Sequence, residues 1–349
     1  MILLRILLLP FSLIYFLLTT FRNHLFDIGY FPSFRFDIRV IAVGNLRVGG
    51  TGKTPHVEYL IRLLKSNYQI ATLSRGYGRK TKGFILADEA ATADTIGDEP
   101  LQFYRKFKDQ ITVAVGEERA LAIPTILFER QNIQVILLDD AYQHRTVIPD
   151  LNILLSDYNH PFYKDMVLPS GRLRESRSGS KRADVIVVSK CPENLSESER
   201  EEIRSRVQRY APSSPVFFTG IKYQAPQPLF EASIDKDLER ILLVSGIANS
   251  KPLQEEIKRN YILEKILDFG DHHSYSEKSI RLILKHFEEI KGNHKAIFTT
   301  EKDMVKLKTE PFKKLLAELP VYYLPIEIYF HERKEQFDQI ISDSLRKKP

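Results

Sequence analysis

The chain of 349 residues reads as an α/β protein built on a mostly parallel sheet with helices on both faces. Three observations predict it. Short apolar runs alternate with helix-spaced segments from residue 38 onward. A glycine-rich turn joins the first run to the first helix, and a later run ends in paired aspartates. Strands are expected over 38–43, 68–73, 111–115, 135–138, 151–156 and 185–189, with helices over 57–64 and 118–130. A further helix over 98–107 opens with Pro100 in its first turn, where an absent N–H costs nothing.

The texture changes over 210–230, where Pro212, Pro215, Pro226 and Pro228 follow the earlier Pro192. A linker is expected there. A second, smaller α/β unit follows, with strands over 241–245, 262–269 and 296–300, helices over 251–259 and 277–290, and a terminal strand over 321–328 before a closing helix. The expected division is residues 1–36 as an N-terminal apolar segment, 37–220 as the larger unit, and 221–349 as linker and smaller unit.

Residues 1–18 are almost wholly apolar, broken by Arg5, Pro10 and Ser12. A full span needs roughly 20 apolar residues, so the run is marginal as one. No small-residue cleavage site follows it, and Phe21, Phe26, Tyr30, Phe31, Phe34 and Phe36 form an aromatic collar. The reading is an uncleaved membrane-associating helix whose aromatics suit the headgroup level; a core helix kinked at Pro10 is the bland alternative. The net charge of +6 fits an anionic partner, but no basic arm, zinc-finger spacing or RNP-like pattern points to nucleic acid. Cys191 is the single cysteine, which excludes an internal disulfide and a thiolate zinc site, and it reads as an inert strand-end thiol.

The strongest chemical signal is GNLRVGGTGKTP, residues 44–55. Gly49, Gly50, Thr51 and Gly52 let backbone N–H groups face phosphates, and the next helix adds its positive end. Lys53 would reach the β- and γ-phosphates and the Thr54 hydroxyl would ligate Mg²⁺. The arrangement is P-loop NTPase-like, although Arg47 stands where the strict pattern has glycine. In ILLDDAYQH an apolar strand ends in Asp139 and Asp140, the pattern that holds Mg²⁺, with the nearer of the two left open.

Four other segments carry candidates. Asp98 and Glu99 in IGDEP sit at a helix start, where capping is the bland role of Asp98. Arg172, Arg174 and Glu175 in LPSGRLRES are either a phosphate clamp or a solvated loop. FGDHHSYS, with Asp271, His272 and His273, and FTTEKDMVKL each follow an apolar strand; a proton-shuttling and a structural histidine are both open. TEKD and Ser189–Lys190 match the guanine-reading N-K-x-D only poorly, which weakens the rival reading of a GTPase or metallochaperone switch.

Together these segments, with SRGYG, SGIANSKPL, DHHSYS and TTEKD in order from about residue 40 to 307, resemble the tetraacyldisaccharide 4'-kinase family of lipid A biosynthesis. Departures are small: Ala141 where glycine is usual, and Ser176 and Ser250 where proline is common. The resemblance implies ATP and Mg²⁺ in a cleft between two α/β domains. It implies transfer of the γ-phosphate to the 4'-hydroxyl of a lipid-linked disaccharide 1-phosphate at the cytoplasmic face of a bacterial inner membrane. By matched position Asp98 is the catalytic carboxylate and His272 its dyad partner. Lys53, Thr54, Glu99, Asp139 and Asp140 serve nucleotide and metal, and Arg75, His144, Arg174 and Glu175 line the acceptor side.

Overall fold

The computed structural model describes residues 2–230, 237–271, 273–310 and 312–346. It begins with two helices, α1 (Ile2–Leu7) and α2 (Leu9–Asp27), the second carrying Pro10 in its first turn. The larger lobe follows: β1 (Arg39–Asn45), α3 (Lys53–Leu64), β2 (Ile70–Ser74), β3 (Ile85–Leu86), α4 (Ala93–Ile96), α5 (Asp98–Phe107), β4 (Thr112–Val115), α6 (Arg119–Glu129), β5 (Val135–Asp139), β6 (Leu151–Asp157), β7 (Val185–Ser189), α7 (Glu197–Gln208) and β8 (Val216–Tyr223). The smaller lobe holds β9 (Gln227–Pro228), β10 (Arg240–Ser245), α8 (Lys251–Asn260), β11 (Ile262–Asp268), α9 (Glu277–Glu289), β12 (Lys295–Thr300), α10 (Glu301–Leu307), α11 (Phe312–Leu316) and β13 (Val321–Leu324). The chain then returns to the larger lobe with β14 (Ile326–Phe330) and α12 (Lys334–Arg346).

The larger sheet runs β14-β8-β7-β6-β1-β5-β2-β4-β3, and the smaller β11-β10-β12-β13-β9. All neighbours are parallel except β14, β3 and β9, each antiparallel at a sheet edge. The expected mostly parallel architecture is thus present. The expected strand over 321–328 is instead two strands in two different sheets, split at Pro325. Sheet membership therefore departs from the expected limits: β8 lies inside the proline-rich stretch, and the last strand and helix pack on the larger lobe.

Side-chain alternation explains why helices cover both faces. Ile41 and Val43 of β1 point to a core shared with Val57 and Ile61 of α3, Phe103 of α5 and Phe337 of α12. Val40 and Ala42 point the other way, onto Ile123 and Ile126 of α6. In α12, Phe337, Ile341 and Leu345 recur every four residues and are buried, worth roughly 1.5–3 kcal/mol each. That stripe is what draws the end of the chain back across the lobe gap.

Helix α2 docks along the body by its hydrogen-bonding side. Ser12 Oγ donates to the Val167 carbonyl at 3.2 Å, Tyr15 Oη to the Arg174 carbonyl at 2.8 Å, and Asn23 Nδ2 to Glu175 Oε2 at 2.6 Å. Phe11, Ile14, Leu18 and Phe21 are left exposed. By length and composition the helix could cross a membrane, but its contacts with the body run from one end to the other.

Candidate active site

The glycine-rich loop follows β1 at the centre of the larger sheet and leads into α3. Gly49 (φ +114°) and Gly52 (φ +80°) take conformations open to glycine. Arg47 does not need a positive φ. Its guanidinium pairs with Asp165 at 2.9 Å, so the loop accommodates arginine at that position. The loop's carbonyls are drawn away from the site one after another. Lys190 Nζ donates to the Gly50 carbonyl. Ser189 Oγ donates to the Thr51 carbonyl at 2.8 Å, and His56 Nδ1 lies 2.7 Å from the Gly52 carbonyl. With carbonyls held outward, the amides are free to face an anion.

Parallel pairing of β1 and β5 sets Val43 opposite Asp139, beside the loop. Asp139 is buried, and its Oδ1 has no protein partner. Burial pushes its carboxyl up to about 7, against the pull of Lys53 and with Asp140 and Glu99 adding to the rise. Asp140 differs. Burial alone would raise it, yet Lys53 at 3.5 Å and Arg174 at 2.9 and 3.1 Å hold it below the usual carboxylate range. Thr54 sits at the start of α3 next to Lys53.

Asp98 and Glu99 open α5, but the cap residue is Gly97, and no side chain caps that helix. A Cβ at Gly97 would lie 2.9 Å from the Tyr77 carbonyl and 3.2 Å from Gly76 Cα. SRGYG and IGDEP thus occur together because their backbones touch. Asp98 Oδ2 is 2.7 Å from Lys306 Nζ, and Glu99 is 3.6 Å from Lys302 Nζ, both lysines on α10 of the smaller lobe. Lys302 also pairs with Asp271 at 2.9 Å, while His273 stacks on Phe269. His272 lies outside the described residues.

The segment around Arg174 is fastened to the loop by backbone bonds: Val48 N–H to the Arg172 carbonyl, and Arg174 N–H to the Leu46 carbonyl. Glu175 is buried, with both oxygens engaged by Arg182 at 2.8 and 2.9 Å, by Gln143 and by Asn23 of α2. It braces the site rather than lining open space. Arg75 is exposed near His144, whose imidazole burial pushes down to about 4, with Arg119 and Arg75 assisting.

Sequence reasoning missed Arg119, Lys302 and Lys306. Arg119 opens α6 with its side chain buried and its Nε and Nη2 without partners. Burial pushes it down to about 10, while Asp139 and Asp140 act to raise it. The signal was a single cation heading a helix whose next five residues are apolar. Cys191 is buried and its thiol pushed up to about 12 by that burial, which agrees with an inert role. Among the described residues no group of three His, Cys, Asp or Glu could hold a metal by itself, and Pro192 stands where a guanine reader needs aspartate. The geometry therefore offers an anion cradle with a cation and an orphaned carboxylate oxygen beside it, and a separate carboxylate at the lobe junction, the parts that phosphoryl transfer requires.

Residues 4–346 match the family model for tetraacyldisaccharide-1-P 4'-kinase. A tetraacyldisaccharide 4'-kinase of Flavobacterium johnsoniae is 46% identical over 349 residues, covering 99% of this chain and 98% of the relative. One of Bacteroides thetaiotaomicron is 43% identical over 352 residues, covering 97% and 92%. Among solved structures, that of LpxK from Aquifex aeolicus in complex with ATP superposes with a TM-score of 0.76 at 29% identity, covering 98% of this chain and 99% of that one.

Proposed function

The chain belongs to the tetraacyldisaccharide-1-P 4'-kinase family, and from that premise we propose how its residues divide the work. The protein is a kinase: it uses ATP to phosphorylate the 4'-hydroxyl of tetraacyldisaccharide 1-phosphate, giving lipid IVA in lipid A biosynthesis. The observation that carries the assignment of roles is the meeting of Lys53, Asp139, Asp140 and Arg174 beside a loop whose carbonyls are tied back.

Gly49, Gly50, Thr51 and Gly52 wrap the phosphates with backbone amides, and Lys53 balances charge on the transferred group. Asp140 is spent on holding Lys53 and Arg174. The orphaned Oδ1 of Asp139, the Thr54 hydroxyl and Glu99 fit Mg²⁺, which keeps most of its ligands as water and phosphate oxygen. Bound there, Mg²⁺ would supply charge neutralisation between the phosphates. Asp98 takes the proton from the 4'-hydroxyl as the O–P bond forms and ADP leaves, with His272 as its partner by resemblance to the family. Arg75 and Arg119 supply positive charge for anionic oxygen on the acceptor side, the neutral His144 stands beside them as a hydrogen-bonding group, and Glu175 holds their neighbours in place.

The acceptor's acyl chains explain the first helix. With its hydrogen-bonding side on the body and its apolar side outward, α2 lies in the lipid interface at the cytoplasmic face of the inner membrane, beside the cleft that receives the sugar. The metal assignment is tested by ATP affinity with and without Mg²⁺. Asp139→Asn should abolish most of the Mg²⁺-dependent gain, whereas an undiminished gain removes Asp139 from the metal site.

A further inference from the structure

The smaller lobe reaches the start of α5 through a residue that the P-loop machinery does not include. Lys306, near the end of α10, places its ammonium 2.7 Å from Asp98 Oδ2, and the same Nζ donates to the His273 carbonyl at 3.0 Å. One cation thus joins the carboxylate at the start of α5, in the larger lobe, to the loop after β11, in the smaller. Its side chain and that of Asp98 are only 10% and 11% exposed, so the pair is shielded from salt. We propose that Lys306 is a positioning residue for phosphoryl transfer: it fixes the Asp98 carboxylate against the acceptor hydroxyl and ties the loop after β11, through the His273 carbonyl, to that carboxylate.

The surroundings support a shared device over an isolated surface pair. A second lysine of α10, Lys302, reaches Glu99 and Asp271. Farther along α5, Lys106 bridges Glu58 of α3 at 2.7 Å and Glu301 of α10 at 2.6 Å. Glu58 lies one turn beyond Lys53 and Thr54 on the same helix, so α3, α5 and α10 are pinned together at the lobe junction. The Lys106 clamp alone could hold the lobes. Lys306 is the member of the set that engages the base itself. A carboxylate held by a buried ammonium presents a fixed orientation to the hydroxyl, and loss of such alignment costs about 100-fold when reacting groups shift by about 1 Å.

The inference rests on Asp98 being the base, and the test separates the two. Turnover, KM for ATP and thermal midpoint are measured on the full-length protein with Asp98→Asn, Lys306→Met, Lys306→Arg and the double variant Asp98→Asn/Lys306→Met. Lys306→Met should lower kcat about 100-fold while KM for ATP changes less than about threefold, and Lys306→Arg should recover a large part. Adding Lys306→Met to Asp98→Asn should cost nothing further, because the lysine acts through the carboxylate. Normal kcat per folded molecule in Lys306→Met, or additive losses in the double variant, overturns the proposal. Normal kcat in Asp98→Asn overturns the assignment of the base beneath it. If Lys306→Met does not fold, Lys306→Gln decides: it keeps a donor for the His273 carbonyl but has no charge for the carboxylate, so kcat must fall with the midpoint intact, and normal kcat overturns the proposal.

Discussion

His56 offers a quantitative test of how the phosphate loop is held. It lies on the first turns of α3, fully buried, with Nδ1 2.7 Å from the Gly52 carbonyl and Nε2 3.0 Å from Thr219 Oγ1. A carbonyl only accepts, so Nδ1 carries the proton, and Nε2 of the neutral ring accepts from the threonine. Burial pushes the imidazole from its ordinary value of 6.5 to about 4, with Gly52 opposing the shift and Lys190 adding to it. The group is neutral in the folded protein and charges readily in the unfolded chain. Its contribution is therefore complete above about pH 6.5 and is lost as pH falls from 6.5 toward 4. The whole shift corresponds to about 3 kcal/mol, of which about 2 kcal/mol is gone at pH 5. Urea unfolding of the wild type and of His56→Gln at pH 7.5 and pH 5 reads it directly. Glutamine can donate to Gly52 without titrating, so the wild type should lose about 2 kcal/mol more than the variant over that interval. His144 and the other histidines act equally in both proteins and cancel. Parallel losses would refute the buried neutral anchor.

Two other outcomes are expected. Glu175→Ala strands the Arg182 guanidinium and the amides of Asn23 and Gln143, so it should destabilise by about 3 kcal/mol and loosen α2, read as a lower urea midpoint and faster proteolysis near residue 27. Removing residues 1–27 should move the protein toward the soluble fraction and raise KM about tenfold for acceptor in vesicles while leaving ATP affinity near normal; a truncated protein that still sediments fully with membranes would contradict the interfacial helix.

What the sequence disclosed was local. The loop at 44–55 and the aspartates after β5 announce themselves because a strand, a glycine-rich turn and a helix lie within one short stretch, and each residue's role follows from its neighbours. The return of the chain was not legible. β13 and β14 are separated only by Pro325 and read as one apolar run, and nothing local says that Ile326 must pair with Tyr223 on another sheet. Arg119, Lys302 and Lys306 were missed for a related reason. Each looks like an ordinary helix cation until tertiary packing buries it beside a carboxylate more than a hundred residues away or among the acids after β5. Glu175 erred in the opposite direction: its segment matched the family, but its carboxylate is consumed by Arg182, Gln143 and Asn23. For Asp98, spacing and packing give different answers. Position alone suggested a cap, while the structure leaves capping to Gly97 and turns the carboxylate toward the smaller lobe.

The central claim is that this cleft transfers the γ-phosphate of ATP to a lipid-linked sugar, with Lys53 stabilising the transferred group. The most direct measurement incubates the protein with γ-labelled ATP, Mg²⁺ and tetraacyldisaccharide 1-phosphate, then separates the lipids by thin-layer chromatography. The wild type should move label into a bisphosphorylated lipid, and folded Lys53→Ala should do so about 100- to 1,000-fold more slowly. Label released only as inorganic phosphate, or equal lipid labelling by Lys53→Ala, would contradict the account.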